Sequence, residues 1–187
     1  VDPATGEPDA RGWSREQDAD GAVWTAEIAY LPERERLLLP IGAVRERGHD
    51  LGFHYAPYDF DSRPEQDLFV RLLRDIGVRH DDVEDVYFTG SLTDPAKTDF
   101  FVQYRDEKGR WRRYSPDFVI RRRDGRTVIV EVKREHDRAH PVDGENGRKA
   151  MALRRWQELN PDTLRYEIVF TATDQVTHQD VEDIMHK

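Results

Sequence analysis

One stretch of the chain, residues 112–135, most restricts the possible fold, because its pattern is that of two β-strands joined by a tight turn. The dipeptide Asp-Gly at 124–125 lies between alternating apolar residues, a strong signal for a β-hairpin. Side chains alternate along a strand, so the valines of the second strand share one face, and Glu131 and Lys133 share the other. The hairpin brings Asp117, near the start of the first strand, toward that polar face.

Two carboxylates and an ammonium group at one place have a chemical use. Carboxylate oxygens are the ligands that Mg²⁺ prefers, and Mg²⁺ sites on phosphate substrates use one or two carboxylates plus waters. A lysine beside the ion can orient or deprotonate the attacking water, or stabilise the charge that builds on phosphorus. The alternative is that Glu131 and Lys133 are ordinary solvated charges on an exposed strand. The valine-rich opposite face and the Pro-Asp that opens the partner strand favour the site.

The dipeptide Pro-Asp at 116–117, followed by Glu-Val-Lys at 131–133, resembles the motif of the PD-(D/E)xK nuclease superfamily. The longer context, HYAPYDFDSRPEQDLFVRLL and VYFTGSLTDPAKTDFFVQYRDEKGRWRRYSPDFVIRRRDGRTVIVEVK, is similar to the C-terminal nuclease domain of type III restriction enzymes, the Res subunit, and of related helicase-nuclease proteins. The resemblance covers roughly residues 53–173. Its short motif is degenerate, so the surrounding pattern carries most of the specificity.

The resemblance implies an α/β fold with a restriction-endonuclease-like core, a mixed central β-sheet flanked by helices. It implies a Mg²⁺-dependent endonuclease acting on double-stranded DNA, with Mn²⁺ able to substitute. Asp117, Glu131 and the carbonyl of Val132 would hold the metal, and Lys133 would act near the attacking water. For the type III relatives it also implies upstream helicase or translocase domains in the same chain and a methyltransferase subunit that recognises the DNA site.

Glu65 is a further candidate for the site. Ser62 followed three residues later by Glu65 is a capping-box pattern, and it predicts a helix over about 63–76. Glu65 lies three and seven residues before two members of the apolar stripe of this helix, so it projects from the buried side. It either caps the helix or supports the metal, as an acidic residue on the first core helix often does in the resembled superfamily, and both roles can hold at once.

The charge distribution bears on DNA contact. Residues 103–155 hold 16 Lys and Arg against 9 Asp and Glu, a net charge of +7 within a chain of net charge −9. Such asymmetry marks a phosphate-facing surface, or else a solvated basic cluster. In the helix predicted over 148–160, Lys149 is placed to reach the site or a phosphate, whereas Arg148 and Arg155 contact the DNA backbone or only solvent.

Length and composition bound the domain organisation. With 187 residues the chain is about one domain, and its first residue, Val, indicates a fragment of a longer polypeptide, which the resemblance implies to be a motor-nuclease chain. Residues 1–20 are predicted to be a flexible leader, and residues 21–187 the nuclease domain, with its core at about 53–187. The absence of Cys, of a signal peptide and of any membrane-length apolar run favours a cytoplasmic location.

The remaining elements follow from periodicity and turn residues. The crossover helix 148–160 should pack on the valine face, and strand 164–172 should be central in the sheet. Further elements are predicted at these places: a strand over 22–32, a short strand at 53–55, another at 86–88, a three-stranded antiparallel meander over 100–133, and a last helix capped by Thr177 and ending near residue 186.

Two other functions compete with the nuclease reading. The first is a nuclease-like fold that only grips DNA or docks a motor domain, which the filled acid and base positions disfavour. The second is a transposon-end or junction endonuclease of the same superfamily, which would share the chemistry but not the motor partner.

Overall fold

The structure is a computed structural model. The chain divides into two compact units, residues 1–36 and 37–187. The structure describes these ranges: 13–19, 21–26, 32–45, 58–79, 82–89, 101–139, 144–171 and 176–186. No helix in these ranges has both the length and the apolar composition of a membrane span. The short strand predicted at 53–55 lies outside the described residues.

The first unit contains a β-hairpin. β1 (Trp13–Asp18) pairs antiparallel with β2 (Gly21–Ala26), and Gly21 has a φ of 135°, which favours glycine. β2 confirms the predicted strand as far as residue 26. The predicted boundary between the flexible leader and the nuclease domain, near residue 20, therefore falls between the two strands of this hairpin. A segment with few apolar side chains can still be held in a ladder, because ladder hydrogen bonds come from the backbone.

The remaining elements lie beyond the hairpin. In chain order they are a 3₁₀-helix (Pro32–Leu37), β3 (Leu38–Leu39), α1 (Ile41–Arg45), β4 (Tyr58–Asp59), α2 (Arg63–Arg79), β5 (Val83–Phe88), β6 (Val102–Arg105), β7 (Trp111–Tyr114), β8 (Phe118–Arg122), β9 (Thr127–Arg134), a 3₁₀-helix (Glu135–Ala139), α3 (Glu145–Leu159), β10 (Leu164–Thr171) and α4 (His178–Met185). The predicted helices at 63–76 and 148–160 are confirmed, and Thr177 caps α4 in a capping box, as expected.

A four-stranded sheet forms the centre of the second unit, in the order β10-β9-β8-β5. β9 pairs antiparallel with β8 and parallel with β10, so the sheet is mixed and the chain belongs to the α/β class. The Asp-Gly turn is confirmed, because Gly125 has a φ of 89° and Asp124 Oδ1 accepts a hydrogen bond of 3.0 Å from the backbone N–H of Arg126. Within the described sheet β10 is an edge strand, so its predicted central position is wrong. The apolar residues of β10 are explained by the packing of α3 against this strand.

The two faces of the sheet take different helices. The valines of β9 share one buried cluster with the apolar stripe of α2 and with α4. α3 packs on the opposite face, where Leu153, its one buried residue, joins Ile129 and Tyr166. The prediction that α3 covers the valine face is therefore wrong. A helix with a single buried residue does not cover a fully apolar face, whereas the wide stripe of α2 does.

The predicted meander over 100–133 is also wrong. β6 and β7 form a separate two-stranded ribbon, and β8 pairs with β5 and β9 instead. Pro116 lies between β7 and β8, and it has no N–H to donate to a ladder. Thr89 at the end of β5 fixes this break, since its N–H donates to the carbonyl of Asp117 and its hydroxyl donates to the carbonyl of Pro116.

Candidate active site

The register of β8 against β9 brings the two predicted metal ligands together. Phe118 lies opposite Val130, so Asp117, one residue earlier, comes beside Glu131. Oδ2 of Asp117 accepts a hydrogen bond of 2.7 Å from the backbone N–H of Val132. Asp117 thus directly precedes β8: its carbonyl accepts the N–H of Thr89, and its carboxylate reaches the backbone of Val132 in β9.

Lys133 completes this pair of acids. Its Nζ lies 3.0 Å from Oε2 of Glu131, whose side chain is only 3% exposed, whereas that of Lys133 is 27% exposed. Because Glu131 and Lys133 are two residues apart on β9, the ammonium group lies beside a buried carboxylate, as the sequence predicted. The backbone of Val132, the third predicted metal ligand, is fixed between them by its hydrogen bond to Asp117.

Glu65 enters the site from the start of α2. Its Oε1 accepts a hydrogen bond of 2.6 Å from the hydroxyl of Ser62, and its Oε2 accepts one of 3.2 Å from the backbone N–H of Asp61. Glu65 is buried, and its charge acts on Asp117. The carboxylate thus contacts the start of the helix, and its charge acts on Asp117, whereas its support of a metal stays a prediction.

Burial and mutual repulsion shift the protonation of these groups. Burial, then the charges of Glu131 and Glu65, raises the pKa of Asp117 well above its ordinary value, and burial also raises the pKa of Glu65. Burial works against the charge of Lys133, but the neighbouring acids Glu131 and Asp117 outweigh it, so the pKa of its ammonium lies above the ordinary value. Three carboxylates thus face one ammonium group.

This donor set fits a divalent cation. The carboxylates supply hard oxygen ligands, and burial together with the charges of Glu131 and Glu65 raises the pKa of Asp117, so a cation beside it would favour its charged form. A cavity of about 150 Å³ lies beside Glu131 and Lys133, and it provides space next to the acids. The arrangement can therefore hold a cation and admit a small anionic group next to it.

The three predicted DNA-contact residues divide between two surfaces. Lys149 lines the site cavity, where its Nζ lies 2.7 Å from Oε1 of Glu145 and 5.3 Å from the ring centre of Tyr114. Arg148 and Arg155 instead line a separate groove between the β6–β7 ribbon and α3. The structure therefore brings Lys149 to the acidic site but not the two arginines.

The sequence reasoning missed two tyrosines and one acid near the site. Burial, then the charge of Glu131, raises the pKa of both Tyr114 and Tyr166, so their hydroxyls stay protonated. Asp137 lines the cavity, and its charge also acts on Lys133. Tyr166 was predictable in principle, because a parallel β9–β10 pair places it on the face of Glu131. Asp137 carries no such periodic signal, since it lies in a 3₁₀-helix.

A second group of possible ligands lies away from this site, on α2 and α4. Ligand atoms of Asp75, His178 and Glu182 all lie within 4.8 Å of one another. Nδ1 of His178 is 3.6 Å from Oδ2 of Asp75, and its Nε2 is 3.6 Å from Oε1 of Glu182. These contacts make the group a polar cluster between the two helices. The His-x₃-Glu spacing on α4 was the signal available in the sequence.

No family model, curated protein or solved structure gives a significant match to this chain.

Proposed function

We propose that the chain is a Mg²⁺-dependent DNA endonuclease with a restriction-endonuclease-like core. The observation that carries the proposal is the meeting of the partly buried Asp117 with the buried Glu131, with Nζ of Lys133 at 3.0 Å from Glu131. The element order supports it: a helix, an antiparallel hairpin bearing the acids, a crossover helix and a parallel strand match what the resemblance to PD-(D/E)xK nucleases implies.

Asp117, Glu131 and the Val132 carbonyl would hold the ion, with Glu65 supporting it through charge. Bound Mg²⁺, or Mn²⁺ in its place, would supply Lewis-acid stabilisation of the charge that develops on a phosphodiester under attack by water. The neighbouring acids raise the pKa of Lys133. Its N–H groups would orient the attacking water or donate to the phosphorane oxygens.

The wider context of this proposal comes from the resemblance. Double-stranded DNA is the substrate, upstream helicase or translocase domains lie in the same chain, and a methyltransferase subunit selects the site. Such a protein acts in the cytoplasm, which the absence of Cys fits.

The test is nicking of supercoiled plasmid by purified Asp117→Asn and Glu131→Gln variants with Mg²⁺ or Mn²⁺. Each substitution removes a charged oxygen ligand at nearly constant size, so we expect nicking to fall at least about 100-fold without loss of fold. Asp124→Asn is the matched control, because Asp124 is an exposed acid at the hairpin turn. It should nick at the parent rate.

Full activity in either folded variant would refute the assignment of the metal ligands. A parent protein that binds DNA but never nicks it with either ion would favour the DNA-gripping or docking module instead.

A further inference from the structure

The exposed large apolar side chains of the described residues gather on one surface. Trp111 is 62% exposed, Met151 58%, Trp156 41% and Leu159 62%. All four line the groove between the β6–β7 ribbon and α3, here called the ribbon groove, which encloses about 780 Å³. Scattered exposed apolar residues are normal, but a gathered patch of this kind marks an interaction site.

The charge of the ribbon groove is of one sign. Its lining includes the guanidinium groups of Arg105, Arg148 and Arg155, and no carboxylate of the described residues lines it. Arg155 pairs with Glu158 at 2.8 Å. Within the described segments Arg105 and Arg148 form no ion pair, and the guanidinium carbon of Arg105 instead lies 4.8 Å from the ring centre of Trp111.

These two properties together select a ligand class. Indole rings offer flat surfaces for stacking, and guanidinium groups offer charge to phosphates, which is the combination that binds single-stranded nucleic acid. Paired bases inside a duplex are already stacked on their neighbours and do not present their faces to a tryptophan. An apolar protein partner would satisfy the rings, but it would leave Arg105 and Arg148 without counter-charges.

We propose that the ribbon groove binds unpaired nucleotides of a DNA strand, with bases stacked on Trp111 and Trp156 and phosphates on Arg105 and Arg148. Met151 lines both this groove and the cavity beside Glu131 and Lys133, so the two surfaces adjoin along α3. As a statement about substrate, this rests on the proposed nuclease function. It makes DNA with a single-stranded segment next to the cut a better substrate than a fully paired duplex.

The test measures binding without cleavage, on the whole chain in EDTA. A fluorescein-labelled oligothymidine strand is titrated with the protein and followed by anisotropy, alongside a blunt duplex of equal length. We expect Trp111→Ala and Trp156→Ala each to weaken single-strand binding between about 5-fold and about 150-fold, the range for loss of one base–aromatic stack. Trp156→Phe, which keeps a flat ring, should retain most of the affinity.

Two arginine variants separate the groove from general charge. Arg148→Ala should weaken binding and reduce its salt dependence, because one phosphate contact is lost. Arg110→Ala is the matched control, since Arg110 is an exposed arginine of the same ribbon that pairs with Asp106 outside the groove. It should change single-strand affinity less than about 3-fold.

Several results would overturn the proposal. The first is single-strand affinity unchanged in both tryptophan variants, with melting curves that show them folded. The second is no binding of the oligonucleotide by the parent, which would favour a protein partner. The third is equal loss of duplex and single-strand binding in every variant. Because no cleavage is measured, these results do not depend on whether the acidic site is a nuclease.

Discussion

The two faces of β9 differ in what they bury. Val128, Val130 and Val132 enter an apolar cluster with α2 and α4, where burial is complete or nearly so. One residue out of phase, Ile129, Glu131 and Lys133 face α3, tyrosines and a cavity. The same backbone thus stabilises the fold on one side and assembles charge on the other.

The two faces differ in the free energy of burying their side chains. Apolar burial on the valine face is favourable by about 25 cal/mol per Å² and needs no partner. Burial of Glu131 is unfavourable unless its charge is compensated, and Lys133 compensates only one of three nearby acids. Incompletely compensated buried charge is concentrated at functional sites, and this supports the proposal that the function lies on this face.

The largest expected effect separates stability from chemistry. Leu72 of α2 is completely buried in the valine-face cluster, so Leu72→Ala should lower the free energy of unfolding by about 2–5 kcal/mol. Urea unfolding followed by circular dichroism measures this loss. Leu159→Ala, at an exposed leucine, should stay within about 0.5 kcal/mol of the parent.

Nicking by Leu72→Ala, measured at a temperature where the variant remains folded, should match that of the parent. A variant that is folded but inactive would show that packing on the valine face affects the chemistry of the charged face. The assignment of stability to one face and of chemistry to the other would then be wrong.

The second effect is on the charged face. Lys133→Met should leave binding of Mg²⁺ or Mn²⁺ intact, because an ammonium group offers the ion no oxygen. It should cost about 2.7–4 kcal/mol of activation free energy, the loss seen when one comparable electrostatic donor is removed. Calorimetry of metal binding and plasmid nicking on one preparation measure both quantities.

Lys149→Met is the comparison for this variant, because Lys149 lines the same cavity but pairs with Glu145. Its rate should fall less. Nicking at the parent rate by Lys133→Met would make Lys133 an ordinary ion-pair partner, whereas loss of the metal as well would indicate a disturbed strand.

Local signals in the sequence were sufficient for the hairpin and the helices. The Asp-Gly turn, the period-two pattern of β9 and the caps at Ser62 and Thr177 are each read from neighbouring residues, and the structure contains them. They also bring Asp117, Glu131 and Lys133 together, since a hairpin register fixes which residues meet.

Non-local choices could not be read in this way. Which face α3 covers depends on the relative apolar width of α2 and α3, and whether β7 continues into β8 depends on Thr89, which follows β5 and is distant in sequence. Arg122 gives a further example, because it is buried against Asp82 and the carbonyl of Met185, distant in sequence.

The smallest effect concerns Glu65. This residue links the two faces, because it stabilises the start of α2, the helix that packs on the valine face, and its charge acts on Asp117. Burial raises its pKa above 4.5, so the folded state holds its proton more tightly than the unfolded state. The stability that this shift contributes is complete below pH 4.5 and is lost as pH rises through the folded pKa. Glu65→Gln cannot titrate, so its stability relative to that of the parent should improve from pH 4 to pH 8.

The change in cap strength should remain under about 2 kcal/mol, because the amide oxygen of glutamine still accepts one of the two hydrogen bonds.

Adding Mg²⁺ separates the two roles of Glu65. If its charge supports the ion, Mg²⁺ at pH 8 should raise the melting temperature of the parent more than that of Glu65→Gln, and metal affinity by calorimetry should fall in the variant. Thr177→Ala, which removes the cap of α4, should lower stability by a similar amount and leave metal affinity unchanged. Equal metal affinity in the parent and in Glu65→Gln would leave Glu65 as a helix cap alone, and the charged face would then consist of the β8–β9 residues without a contribution from α2.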